Sequence, residues 1–172
     1  SRAVCRAQAP FLRTLAHPCQ SFVDRMATRT EVVATGFAGL LAGALTFVSA
    51  VDARTLTRLA AEGDETTLRS LFPLWWPNGR DLMLPLIMAT SSLHAAAYWL
   101  SDRKAWIGTG MAVFAIAPYT VLVLGEDIQA LRKAESQEVC RTARHFSLLH
   151  HPRTVVALLA YGGSLALLWR RG

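Results

Sequence analysis

Four long stretches of this chain carry no formal charge: residues 32–51, 82–101, 105–125 and 154–169 hold no Asp, Glu, Lys or Arg. An α-helix rises ~1.5 Å per residue, so ~20 residues cross a hydrocarbon core ~30 Å thick. The first three stretches meet that length. The fourth has 16 residues and is followed directly by Arg170 and Arg171. A short span of that kind is completed by flanking side chains whose stems lie in the apolar layer and whose charged ends reach the headgroups. The alternative is a soluble bundle of buried helices, which would have to hide four uncharged windows within 172 residues. Only 17% of the residues are charged, against about 25% in an ordinary soluble domain. The expected fold is therefore all-α: a four-transmembrane-helix bundle with an amphipathic helical connection before the last span.

The formal charge is +6. The arginines are scattered outside the four windows and no aromatic-interleaved basic stripe is present, which argues against nucleic acid as a partner. Attraction to anionic lipid headgroups accounts for the balance more simply. Residues 1–30 carry Arg2, Arg6, Arg13, Arg25 and Arg29 against one acid, Asp24. That composition resembles organelle targeting segments, with an ordinary basic tail as the alternative. The chain starts at Ser1 rather than Met, which fits a processed product. Residues 1–30 thus read as a basic N-terminal extension and residues 31–172 as the transmembrane domain. Cys5, Cys19 and Cys140 fit no zinc pattern; a Cys5–Cys19 bridge is open in an oxidising compartment.

Prolines at 10 and 18 limit the extension to a short helix over residues 20–27. In the first span Thr35, Gly39 and Gly43 recur every four residues with Gly36 alongside, a small-residue stripe that suits close helix approach; Gly162 and Gly163 suit it in the last span. Residues 52–69 read as a helix with Leu56, Leu59, Ala60 and Leu68 on one side. Residues 71–77, with Trp75 and Trp76 between Pro73 and Pro77, read as an interface segment at headgroup depth, and Asn78-Gly79 as a turn. The link Asp102-Arg103-Lys104 forces the second and third spans into an antiparallel hairpin, with Trp99 and Trp106 as a small aromatic belt. Pro118 predicts a kink, eased by Thr120. Residues 126–149 read as a helix that Pro152 ends. Lys and Arg number nine on each side of a four-span arrangement, so charge asymmetry sets no orientation.

The chemically able residues are few. His94 lies inside the second span, where an ionisable group marks either a functional site or a neutral imidazole bonded to Ser or Thr on a neighbouring helix. Glu126, Asp127, His145, His150, His151 and Arg153 sit at facing span ends and are expected at one membrane surface. That set suits acid–base chemistry or a solvated ion-pair cluster. No helical spacing of these residues suits a metal site.

Three stretches carry a family likeness. Thr35-Gly36-Phe37-Ala38-Gly39-Leu40-Leu41-Ala42-Gly43, Pro118-Tyr119-Thr120 and His150-His151-Pro152-Arg153-Thr154 resemble motifs of the DUF1772 family over residues 32–170. That family comprises small four-span membrane proteins whose named members include fungal anthrone oxygenases. The chain departs from the family pattern at Gly125-Glu126-Asp127, where Pro-Thr-Asn is usual, and at Phe146, where Trp is usual. The resemblance implies a cofactor-independent oxygenase in which His150 accepts a proton, Arg153 steadies an oxyanion, Thr120 positions the substrate and Asp127 belongs to the same cluster. The basic extension and the altered motifs imply instead a non-catalytic accessory subunit of a large organelle membrane complex, a respiratory or ATP synthase assembly of the mitochondrial inner membrane. The partners would then be other membrane subunits and lipids. No cofactor is implied beyond a bound phospholipid of the cardiolipin type, which suits arginines at span ends such as Arg170 and Arg171.

Overall fold

A computed structural model describes the backbone of residues 10–133 and 138–170, and side chains from residue 22 onward. Among the described residues all regular structure is helical: α1 (Pro10–Phe47), a π-helical turn (Val48–Asp52), α2 (Ala53–Glu62), α3 (Glu65–Ser101), α4 (Ala105–Phe114), α5 (Ile116–Val123), α6 (Gly125–Lys133) and α7 (Val139–Trp169). Three segments are long and apolar enough to cross a membrane, Phe22–Glu62, Ala105–Val123 and Val139–Trp169. The expected span at 82–101 forms the second half of α3. Pro85, Thr90, Ser91, Ser92 and His94 dilute its leucines and alanines, so three helices qualify by length and apolarity, not the expected four.

The prolines act more weakly than the sequence suggests. Pro10 opens α1, where its missing N–H is not used, and α1 continues past position 18, so the short helix expected at 20–27 is part of a longer one. Cys5 and Arg171 lie outside the described residues, as does the side chain of Cys19. Pro73, Pro77 and Pro85 all lie inside α3, and Pro152 lies inside α7 rather than ending a helix before it. Each proline removes one backbone bond; the turns on either side are held by packing. Phe72 is fully buried and meets Phe146 edge to face at 5.3 Å, while Trp76 meets Phe146 at 5.9 Å. The indole N–H of Trp75 donates to Asp52 (3.2 Å). Residues 71–77 are therefore helix that packs one face on the bundle through Phe72 and leaves Leu71 and Leu74 exposed, and Asn78-Gly79 continues the same helix rather than turning.

Where the chain does break, the backbone explains it. The helix expected over 52–69 is interrupted at Gly63, which adopts φ +73° at the end of α2, a conformation glycine takes at little cost. Asp64 then caps α3 by accepting the Thr67 N–H at 3.0 Å. Hydrogen bonds from Thr67 hold the Asp64 carboxyl below its usual value of 3.8. The cap thus stabilises α3 at all pH values above that figure and is lost as pH falls through the lower folded value. Asp64→Ala is expected to speed amide hydrogen exchange in the first turn of α3 at neutral pH; unchanged exchange there would refute the cap.

Pro118 breaks the third span as expected: α4 and α5 are separated at Ala115, near the carbonyl that position 118 leaves without a donor. Thr120 donates to Ile116 O at 2.7 Å. The α3–α4 hairpin also forms as expected, with Asp102 in the left-handed region (φ +56°) at the turn. The core has three levels along the bundle: Leu56, Leu68, Phe72, Leu131 and Phe146 at the α6 end; Leu41, Leu45, Ile87 and Val113 in the middle; Ala34, Ala97 and Trp106 at the hairpin end.

The small-residue seam of α1 runs through alanines more than glycines. Ala34, Thr35, Ala38 and Ala42 are buried. Gly39 flanks them, with the Tyr161 ring 3.0 Å from where a Cβ would stand, but Gly36 and Gly43 face open space, as does Gly162. Gly163 does pack closely, against Thr109 at 3.2 Å. Helical rotation of 100° per residue puts Gly36 and Gly43 off the face that Ala34, Ala38 and Leu41 present to the bundle.

Candidate functional site

The polar interior lies between the α6 end and the middle level. The π-helical turn positions Ser49 there, buried, with its hydroxyl 2.6 Å from that of Thr154, which also donates to Leu45 O (3.1 Å). One helical turn before Thr154, His150 is buried, and Arg153 is 7% exposed. Arg153 Nη1 donates to the Thr120 hydroxyl (3.1 Å), and Arg153 Nη2 donates to His150 Nδ1. Thr120 thus meets Arg153, 33 positions later in the chain, and Arg153 meets His150 one turn before it.

The fourth expected member does not join them. Asp127 accepts from His145 Nδ1 at 2.7 Å, on the half-exposed outer face where α6 meets α7. Their pairing satisfies the carboxylate locally and draws it off the interior.

The three residues line a cavity of about 390 Å³. Its walls are Leu45 of α1, Val48 of the π-helical turn, Trp75, Trp76, Arg80, Met83, Leu84 and Ile87 of α3, Ile116, Thr120 and Val121 of α5, and Ile128, Gln129 and Arg132 of α6. Every formal charge on that wall is a guanidinium, and no carboxylate lines it.

The hydrogen-bond roles are set by arginine, whose nitrogens only donate. His150 Nδ1 must therefore accept, and the neutral ring carries its proton on Nε2. His150 also meets the Leu45 backbone, whereas Arg153 Nε is buried with no partner among the described residues. Each unmet buried donor costs about 1–3 kcal/mol. The site therefore holds a buried guanidinium donor with no acceptor.

A second polar network, not anticipated from the sequence, sits at the hairpin end. Glu31 is fully buried; it accepts the Trp106 indole N–H at 3.1 Å, and Arg103 Nη1 approaches its other oxygen at 3.8 Å. Arg103 also donates to Leu167 O (2.8 Å). Trp106 is therefore interior and not part of a surface belt with Trp99, which is 82% exposed. An acid at the edge of the first uncharged window and a Trp at the edge of the third were the available signal. His94 is held between Thr90 O (2.8 Å) on its own helix and the Ser164 hydroxyl (2.9 Å) on α7. Because a carbonyl accepts, Nδ1 carries the proton; the imidazole is a structural bridge between α3 and α7. Among the described residues no group of three His, Cys, Asp or Glu is placed to hold a metal ion.

These features define a helical bundle with a polar, arginine-lined cavity near one end. Comparison with protein-family models, with curated proteins and with solved structures gives no match.

Proposed function

We propose that the chain is an integral membrane protein that serves as a non-catalytic accessory subunit of an organelle membrane assembly, a respiratory or ATP synthase complex of the mitochondrial inner membrane, and that its cavity binds rather than transforms. The observation that carries this reading is the direction of the hydrogen bonds at His150. Catalysis by a neutral imidazole requires a free basic nitrogen. Here Nδ1 is occupied by Arg153 and Nε2 holds the proton, and no carboxylate on the cavity wall stands ready to accept a proton in its place.

Four crossings suit this arrangement. The link of Asp102, Arg103 and Lys104 sets the uncharged half of α3 alongside α4, where Gly110 sits directly against His94. If α4–α5 crosses the membrane, its close antiparallel partner shares that depth. The α1 helix also bears exposed Phe22 (64%) and Met26 (40%) beside Arg25 and Arg29, a face suited to a neighbouring subunit and lipid headgroups. Extracted from its native membrane in mild detergent, the chain is expected to migrate in an assembly many times its own mass. Recovery as a free monomer or dimer would overturn the subunit role.

A second reading is favoured by the convergence of Thr120, His150 and Arg153 beside two tryptophans. It is an oxygenase similar to the anthrone oxygenases, in which His150 takes a proton from a flat aromatic substrate and the resulting carbanion reacts with oxygen. That reading requires Arg153 to release Nδ1. Oxygen consumption with anthrone that disappears in His150→Ala would establish it in place of the binding role.

A further inference from the structure

Resting on the reading of the cavity as a binding site, we infer that its occupant is an amphiphile with an anionic oxygen head, held at His150 and Arg153, whose apolar chain leaves sideways between α3 and α5 into the membrane.

Three observations meet in this assignment. First, the site is short of acceptors: Arg153 Nε is a buried donor with no partner among the described residues. A carboxylate or phosphate supplies acceptor oxygens, and its bonds to a guanidinium are the strong, charge-assisted kind. Second, the wall is of one sign, with Arg80, Arg132 and Arg153 and no acid. Arg80 is engaged with Asp81, outside the cavity, at 2.7 Å. Such a wall repels a cation and gives a neutral head no advantage. Third, polarity is graded along the cavity. Leu45, Ile87 and Ile116 belong to the middle apolar level, whereas Arg132 and Arg153 lie toward the α6 end. The chain-lining residues Leu84 and Val121 are 49% and 71% exposed, so the apolar part of the cavity is open on the face that α3 and α5 turn outward. A water-soluble anion has no use for that opening; a lipid does. A free fatty acid and an anionic phospholipid share this chemistry.

The test uses the full chain in a neutral detergent, with oleate, oleyl alcohol and dioleoyl phosphatidate as probes and native mass spectrometry as readout. Oleate or phosphatidate is expected to bind saturably, one per chain, about tenfold or more tighter than oleyl alcohol, the ratio one charge-assisted hydrogen bond provides. Tighter oleate names a free acid as the occupant, tighter phosphatidate a glycerolipid. Arg153→Gln is expected to abolish the preference. Arg132 is exposed and its loss leaves the core intact, so Arg132→Gln keeps the test informative if the Arg153 variant fails to fold; it should weaken the anion by about threefold. Equal binding of oleyl alcohol and oleate, no saturable binding of either anion, or unchanged anion affinity in every variant that folds would each overturn the assignment. Any of these results in a chain still extracted within a large assembly would leave the subunit role standing.

Discussion

Gly110→Val is expected to unseat the hairpin of α3 and α4. A Cβ at position 110 would stand 2.8 Å from the Cβ of His94 and 3.5 Å from Ser91 O. The first of these is no flexible tip that swings aside; it is fixed to the α3 backbone, so the helices themselves must part. Parting disturbs what the approach makes possible. His94 would move off Ser164, now at 2.9 Å, and its ring off the Trp106 ring, now 5.5 Å away between centroids. Overpacking of this kind costs about 1–3 kcal/mol, and loosening the buried His94 bond adds about 1 kcal/mol. Gly108 is the control, because a Cβ there meets nothing within 4 Å and Gly108→Val should shift stability by no more than about 0.5 kcal/mol. Unfolding in mixed micelles with rising denaturing detergent reads both. Equal midpoints for the two variants would show that the close approach at Gly110 is not a structural requirement.

What could be read from sequence was what neighbouring residues decide. Charge avoidance over a window is a local property, and the helical class follows from it. A three-residue link leaves its flanking helices no geometry but a hairpin. Pro118 breaks its helix, whereas Phe72, Trp76 and Phe146 interlock around Pro73 and Pro77, where α3 runs on unbroken. That interlock joins residues some 70 positions apart, so no local pattern reports it. The same limit hid the burial of Trp106. A Trp at the edge of an uncharged stretch reads as an interface residue until its partner Glu31, 75 residues earlier, is seen to take the indole N–H. At the candidate site, family likeness rather than spacing brought Thr120, His150 and Arg153 together. Asp127 shares a span end with them in sequence, but the His145 imidazole claims its carboxylate. The direction of the Arg153–His150 bond, which turns a base into a donor, is a matter of side-chain geometry that no sequence pattern carries.

The largest single loss is expected at Trp106. This side chain is fully buried and ties three helices together: it packs with Ala34 and Ala97, touches the His94 ring and donates to Glu31. Trp106→Ala should cost about 3–5 kcal/mol, the range for emptying a large aromatic site in a core. Dispersion contacts are lost whether the surrounding medium is lipid or water, so the estimate does not depend on the hydrophobic effect alone. Trp106→Phe separates shape from polarity. It keeps most of the volume but removes the N–H, leaving one oxygen of a fully buried Glu31 without the indole donor, for about 1–3 kcal/mol. Trp99 lies one turn from the same hairpin and is 82% exposed, so Trp99→Ala removes an equal side chain from a site with little packing. The expected order of unfolding midpoints is therefore wild type close to Trp99→Ala, then Trp106→Phe, then Trp106→Ala. If Trp99→Ala and Trp106→Ala proved equally destabilised, both tryptophans would be acting at the membrane interface, and the buried Glu31–Trp106 bond would not hold the hairpin end of the bundle.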